Sequence, residues 1–165
     1  MMTDGDPRGE TPAGVSAVTA LTVAWVTYGA LAILGLGMLS YFAGIDIIPS
    51  EGVFRWAGIV AMMVSIGGFA GMLAPVLRAP RPAYTSVLLV ALVASLLHLG
   101  TVWVGGTVGG AGFAASTSVV SVLILQGASL VLFLAAVVAA WIGVALRRTR
   151  AGRPHWPWED EGDRE

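Results

Sequence analysis

ALTVAWVTYGALAILGLGMLSYFA, residues 20–43, carries no charged side chain, and its reading decides the fold. At about 1.5 Å of rise per residue, a helix of this length exceeds a hydrocarbon core of about 30 Å. Membrane strands need only about 9–11 residues of alternating polarity. This run is longer and apolar throughout, so it is read as a transmembrane helix. Three further apolar runs follow, at residues 54–77, 84–104 and 119–146. The fold class expected is therefore all-α: a polytopic integral membrane protein with four transmembrane helices in an antiparallel bundle.

The segments between and around the runs divide the chain. Residues 1–16, rich in Gly, Pro, Thr and acids, bury too little apolar surface to offset ordering entropy and read as a flexible cytoplasmic tail. They start acidic rather than basic, and the apolar run behind them is too long for a cleaved signal peptide. The four-helix domain is placed at 17–147 and a charged cytoplasmic tail at 148–165. Asp46, Pro49 and Glu51 mark the first connection, and Arg78-Ala-Pro-Arg81-Pro82 the second, because prolines break a continuing helix. Gly105–Ser118, with five glycines, suits a mobile outer loop, or one that dips back into a protein-lined cavity. It lacks the Lys and Ser/Thr of a phosphate-binding loop and follows no strand.

Composition agrees with a lipid solvent. The 165 residues are 56% hydrophobic and 12% charged, with mean hydropathy +0.82, against about 25% charged in soluble domains. No cysteine is present, which removes disulfides, thiolate metal sites and thiol redox chemistry. All nine basic residues are Arg, and neither Lys nor Asn occurs. Because the codons of both are AT-rich, a prokaryote with a GC-rich genome is expected, with the chain in its cell membrane.

Arginine placement sets the expected orientation, since basic residues beside spans are retained in the cytoplasm. Four spans put both tails and the middle loop on one side. That side holds eight of the nine arginines (Arg8, Arg78, Arg81, Arg147, Arg148, Arg150, Arg153 and Arg164), leaving Arg55 opposite. Both termini are accordingly expected inside. Arg55, Trp56 and Trp103 read as anchors at the outer interface and Trp141 at the inner one, where amphipathic rings sit well. Trp25 and Tyr28 lie deeper than a belt and are expected to face other helices.

Small residues four apart allow close backbone approach between helices in lipid. Ala57, Ala61 and Ser65, then Gly67 and Gly71, form such stripes in the second span, as do Ala135, Ala139 and Gly143 in the fourth. Packing inside the bundle is the plain reading, and self-association or a partner subunit the functional one.

His98 is the one ionisable side chain deep within a span. Ser95, His98 and Thr101 share a helical face with Ala91 and Ala94, so this side is expected to point inward. The plain reading is a neutral imidazole hydrogen-bonded to a neighbouring helix. The functional readings are a polar substrate contact, a proton relay or a haem ligand paired with Met38, Met62, Met63 or Met72. Gln126, at a similar depth in the fourth span, is the expected partner of His98. In the tail, Trp156 and Trp158 stand between basic and acidic halves, placed to dip into the interface or dock on a cytoplasmic partner.

These residues assemble no catalytic constellation, so no enzyme activity, cofactor, metal site or nucleic-acid partner is expected. Beyond the bilayer, the partners expected are other membrane subunits or further copies of the chain. The reading is a non-catalytic accessory or scaffold subunit of a membrane complex. The alternative is a small oligomeric transporter or channel, although coupled transport usually draws on intramembrane carboxylates, and none occurs in the spans.

Overall fold

The computed structural model describes residues 15–44, 53–80 and 82–149. Within them the chain is helical, with no strand. Helix α1 runs Ala17–Ala43, α2 Val53–Arg78, α3 Thr85–Gly106, α4 Phe113–Leu125 and α5 Ala128–Arg148. Four helices are long and apolar enough to cross a membrane, at Ala17–Phe42, Phe54–Arg78, Thr85–Ala111 and Ala128–Arg148.

Local chemistry sets the ends. Ser16 caps α1, its Oγ accepting from the Thr19 backbone N–H at 3.0 Å, which satisfies a donor that has no intrahelical partner. Pro75 sits inside α2 without ending it. Its missing N–H leaves the carbonyl one turn back without its helical donor, a situation tolerated in membrane helices.

Alanines fill much of the interior around buried Tyr28, Phe69, Leu73, Leu77 and Leu132, and many large apolar side chains face outward. Ala20, Ala24 and Ala32 of α1, Ala91 and Ala94 of α3 and Ala136, Ala139 and Ala140 of α5 are fully buried. Ile33, Phe42, Met63 and Leu125 are more than two-thirds exposed. In water this distribution would expose a large apolar surface. In lipid it leaves association to van der Waals contact between closely approaching backbones. α2 packs most extensively on α3, and α1 on α5, with α3 against α5 joining the pairs.

Two expectations from the sequence are corrected. The glycine-rich segment 105–118 is not a loop. α3 continues through a π-helical turn, Thr107–Ala111, and α4 starts at Phe113. Two of its glycines serve close approach: a Cβ on Gly105 would lie 3.0 Å from that of Ala57, and one on Gly106 would lie 2.6 Å from the Phe54 ring. The reversal is confined to Gly110–Gly112, where both glycines have positive φ.

Nor is the run 119–146 one helix. It breaks at Gln126–Gly127, where Gly127 adopts φ 85°, ψ 1°, a left-handed conformation that ends a helix at little steric cost. The fourth span is α5 alone. α4, with 13 residues, has a length typical of interfacial, re-entrant or core helices. It leans on α3 through Trp103, whose Nε1–H donates to Thr117 Oγ1 at 3.1 Å and whose ring meets Phe113 edge-on at 5.4 Å.

Candidate functional site

A polar tie binds α2 to α3. Ser65 Oγ donates to the Ala94 carbonyl at 2.8 Å. A serine has a single proton to give, so the 2.7 Å contact between Tyr28 Oη and Ser65 Oγ is donated by the tyrosine. The resulting chain, Tyr28 to Ser65 to Ala94, joins α1, α2 and α3. The Tyr28 ring stacks on Phe69 with centroids 4.6 Å apart, and both side chains are fully buried. One helical turn toward the Arg55 end, His98 is buried, with its Nδ1 lacking a hydrogen-bond partner among the described residues.

This chain of bonds makes a graded prediction. Tyr28→Phe removes one intramembrane hydrogen bond and is expected to lower unfolding free energy by about 0.6 kcal/mol. Ser65→Ala removes both bonds and strands the Tyr28 hydroxyl, so about 2 kcal/mol is expected. Titration with sodium dodecyl sulfate in mixed micelles reads both, and a Ser65→Ala protein as stable as Tyr28→Phe would dismiss the relay.

Beyond this chain of bonds, toward the Arg55 end, the helices form a half-open cavity of about 410 Å³, with Ile33 and Met63 of its wall largely exposed. All five helices contribute to its wall, with Leu36 from α1, Met62 and Met63 from α2, His98 from α3, Leu123 from α4 and Leu132 from α5. The volume falls within the range of about 300–1,000 Å³ usual for small-molecule pockets. His98 is its only ionisable lining residue and Ser129 its only hydroxyl. The Ser129 hydroxyl donates to the Leu123 carbonyl at 3.3 Å. A second, more open groove of about 720 Å³ lies between α2 and α3 beside Trp56, Gly100 and Thr101.

The candidate residues separate by position. Ala57, Ala61 and Ser65 are buried, as are Ala135, Ala139 and Gly143. Gly67 and Gly71 are exposed, and a Cβ at either would meet nothing within 4 Å, so this pair packs against no other helix of the bundle. Ser95 and His98 are buried. Thr101 lies in the open groove, its hydroxyl returned to the Leu97 carbonyl at 2.7 Å. Gln126 is exposed at the helix break and does not satisfy His98 Nδ1, because the left-handed Gly127 takes this residue out of the span. Met62 and Met63 line the cavity beside His98, whereas Met38 and Met72 do not.

At the interfaces, Arg55, Trp56 and Trp141 are exposed and Trp103 is half-buried against α4. Tyr28 is buried, whereas Trp25 is 46% exposed and faces outward, contrary to the helix-facing position expected for it. Trp156 and Trp158 lie outside the described residues.

Arg147, expected only as one of the flanking charges, also bonds to two other segments. Arg147 Nε donates to the Leu77 carbonyl and Nη1 to the Val15 carbonyl, each at 2.9 Å. A basic residue in the last turn of an apolar helix was its only signal. Compared with known proteins, the chain matches no family model, no curated protein and no solved structure.

Proposed function

We propose that this chain is a non-catalytic accessory component of a larger membrane assembly, an antiparallel four-span bundle with both termini cytoplasmic. The observation that supports this reading best is the way its interior is filled. Toward the Arg147 end, Ala20, Ala24 and Tyr28 of α1 pack with Phe69, Leu73 and Leu77 of α2 and Ala136, Ala140 and Val144 of α5 in one buried cluster. Tyr28 and Ser65 there are spent on one another and on the Ala94 carbonyl. A conduit for ions or polar solutes needs hydrated or charged groups along its length, whereas a scaffold needs a rigid body.

Support for the orientation comes from charge. Arg78 and Arg148 lie in the last turns of α2 and α5, and Arg147 touches the beginning of α1 and the end of α2. Arg55 lies in the first turn of α2. Ser65 bonds to Ala94 and Ala57 closely approaches Gly105, so numbers fall on one helix as they rise on the other, the relation of antiparallel neighbours. A cell membrane of a GC-rich prokaryote remains the location inferred from composition.

Purification from native membranes in mild detergent, followed by mass spectrometry and a visible absorption spectrum, tests the assignment. Stoichiometric partner subunits are expected, and a homo-oligomer as the sole species would reject it. A cysteine at position 165, unique in a chain without others, is expected to react only after cells are permeabilised. The cavity supports a second reading, a small oligomeric transporter or channel, because a chamber in one half above a packed half resembles one state of an alternating-access cycle. The homo-oligomer would move the assignment there.

A further inference from the structure

We propose that the Arg147 end of the bundle binds the headgroup of an anionic phospholipid, with the Arg148 guanidinium as the fork that holds its phosphate. The inference rests on the spans crossing a bilayer and not on which assembly the chain joins, so its failure would leave that assignment standing.

Three arginines meet at this end. Arg147 is tied to the Leu77 carbonyl, so the last turn of α5 abuts the last turn of α2, where Arg78 follows Leu77 directly. Arg148 lies over the Tyr84 ring, its Cζ 4.9 Å from the centroid, which brings the same turn to the start of α3. The helix ends do not balance these charges. The C-terminal ends of α2 and α5 each offer about half a negative charge, and the N-terminal ends of α1 and α3 return about as much positive charge. The described residues include no Asp or Glu, so among them the three guanidiniums have no counter-ion.

Arg148 is set for phosphate in particular. Stacking on a ring engages the face of a guanidinium, whereas its N–H donors lie in the plane and match two oxygens of a phosphate. The contact with Tyr84 therefore fixes the fork without using its donors. Among the described residues, the side chains of Arg78 and Arg148 make no hydrogen bond or ion pair, and both are exposed. Arg147, by contrast, spends Nε and Nη1 on carbonyls and contributes only its charge. The setting favours a lipid over a soluble anion. Leu134, Val138 and Trp141 form an exposed stripe of α5 that leads along one helical face to Arg148, and an acyl chain lies along it while the headgroup reaches the fork. The Trp141 and Tyr84 rings suit the interface between chain and headgroup. A choline headgroup would bring a cation to a cluster of cations, so a headgroup of net negative charge is preferred.

The probes are dioleoylphosphatidylglycerol and dioleoylphosphatidylcholine, which differ in the headgroup alone. They are titrated against the full chain in mild detergent and counted as adducts by native mass spectrometry. The glycerol lipid is expected to bind about tenfold tighter, equivalent to about 1.4 kcal/mol. Arg148→Gln is expected to reduce this preference about fivefold, the contribution of one arginine at a membrane surface. Arg55→Gln removes the same charge from the opposite end and is expected to leave the preference unchanged. Tyr84→Leu keeps every charge but releases the fork, and a reduction of about threefold is expected. Inorganic phosphate offered alone, which lacks acyl chains, is expected to leave no adduct.

Arg148 and Tyr84 are both exposed, so folding is expected to survive either substitution, and if Arg148→Gln does not fold, Tyr84→Leu decides. Equal affinity for the two lipids would overturn the proposal and point to the chain's own acids, such as Glu159 and Glu161, as the counter-charge. A preference that survives Arg148→Gln, or one that Arg55→Gln lowers as much, would overturn it by reducing the effect to net charge. An unchanged preference in Tyr84→Leu would remove the stacked fork. A phosphate adduct lost in Arg148→Gln would reassign the site to soluble anions.

Discussion

Gly143→Leu is expected to cost about 3 kcal/mol of stability, the largest loss from any single substitution considered, and to separate α1 from α5. A Cβ placed on Gly143 would lie 3.0 Å from the Ala24 Cβ, 3.5 Å from Leu73 Cδ2 and 3.6 Å from the Ala20 carbonyl oxygen. The first and last of these are fixed to the α1 backbone and cannot swing aside as the end of a long side chain could. Even alanine would press the helices apart by tenths of an ångström, and leucine adds three more carbons to a site with no room. Overpacking of this kind costs about 1–3 kcal/mol in close-packed interiors. Lipid supplies no hydrophobic drive to reseal the gap, because association in the membrane rests on contact itself. A detergent titration of folded fraction, with fluorescence as readout, measures the loss.

Gly67→Leu and Gly71→Leu sharpen the same experiment. Nothing lies within 4 Å of a Cβ at either position, so each is expected to stay within about 0.5 kcal/mol of the parent protein. If the pair proved as costly as Gly143→Leu, the packing described here would be wrong, or a second chain would cover that face.

The contrast shows where sequence legibility stops. Gly67 and Gly71 have the same four-residue spacing as Ala139 and Gly143, and nothing local distinguishes a stripe that meets a partner from one that meets lipid. Hydropathy is additive along the chain, which is why the first three spans could be read from residues 20–43, 54–77 and 84–104 and correspond to candidate spans in the structure. The Gln126–Gly127 break left no comparable mark, because one amide and one glycine barely lower the mean of an apolar run while a single positive φ redirects the chain. The opposite error occurred at 105–112. Glycine's entropic cost pointed to a loop, but Phe54 and Ala57, about fifty residues earlier, make its lack of a side chain useful.

The candidate site was legible in part for the same reason. His98 stood out because an ionisable group in an apolar run is costly. Its surroundings required the third dimension: Met62 and Met63 nearby, and Leu123 brought in by α4. Ser65 drew notice only as a small residue, and Tyr28 only for its depth. The hydrogen bond that joins them spans 37 positions.

Arg147→Met is expected to cost about 2 kcal/mol and to loosen the ends of three helices together. The guanidinium reaches the Val15 carbonyl just before α1 and the Leu77 carbonyl at the end of α2, both from the last turn of α5. Carbonyls in a terminal helical turn lack intrahelical donors, and a charge-assisted donor is worth about 1.5–3 kcal/mol. The two bonds are not simply summed, because the half-buried side chain retains some water and methionine keeps much of its apolar packing. Arg147→Lys is expected to recover less than half of the loss, since an ammonium on a flexible stem cannot replace a fork that holds two acceptors on different helices. Salt separates this role from charge retention in the cytoplasm. Neutral carbonyls, unlike carboxylates, attract no screening cloud that competes for the pairing, so the loss measured by detergent titration should be equal at low and high ionic strength. A penalty that vanished in salt would instead assign Arg147 to an ionic partner or to lipid headgroups, and the junction of α1, α2 and α5 would then need another explanation.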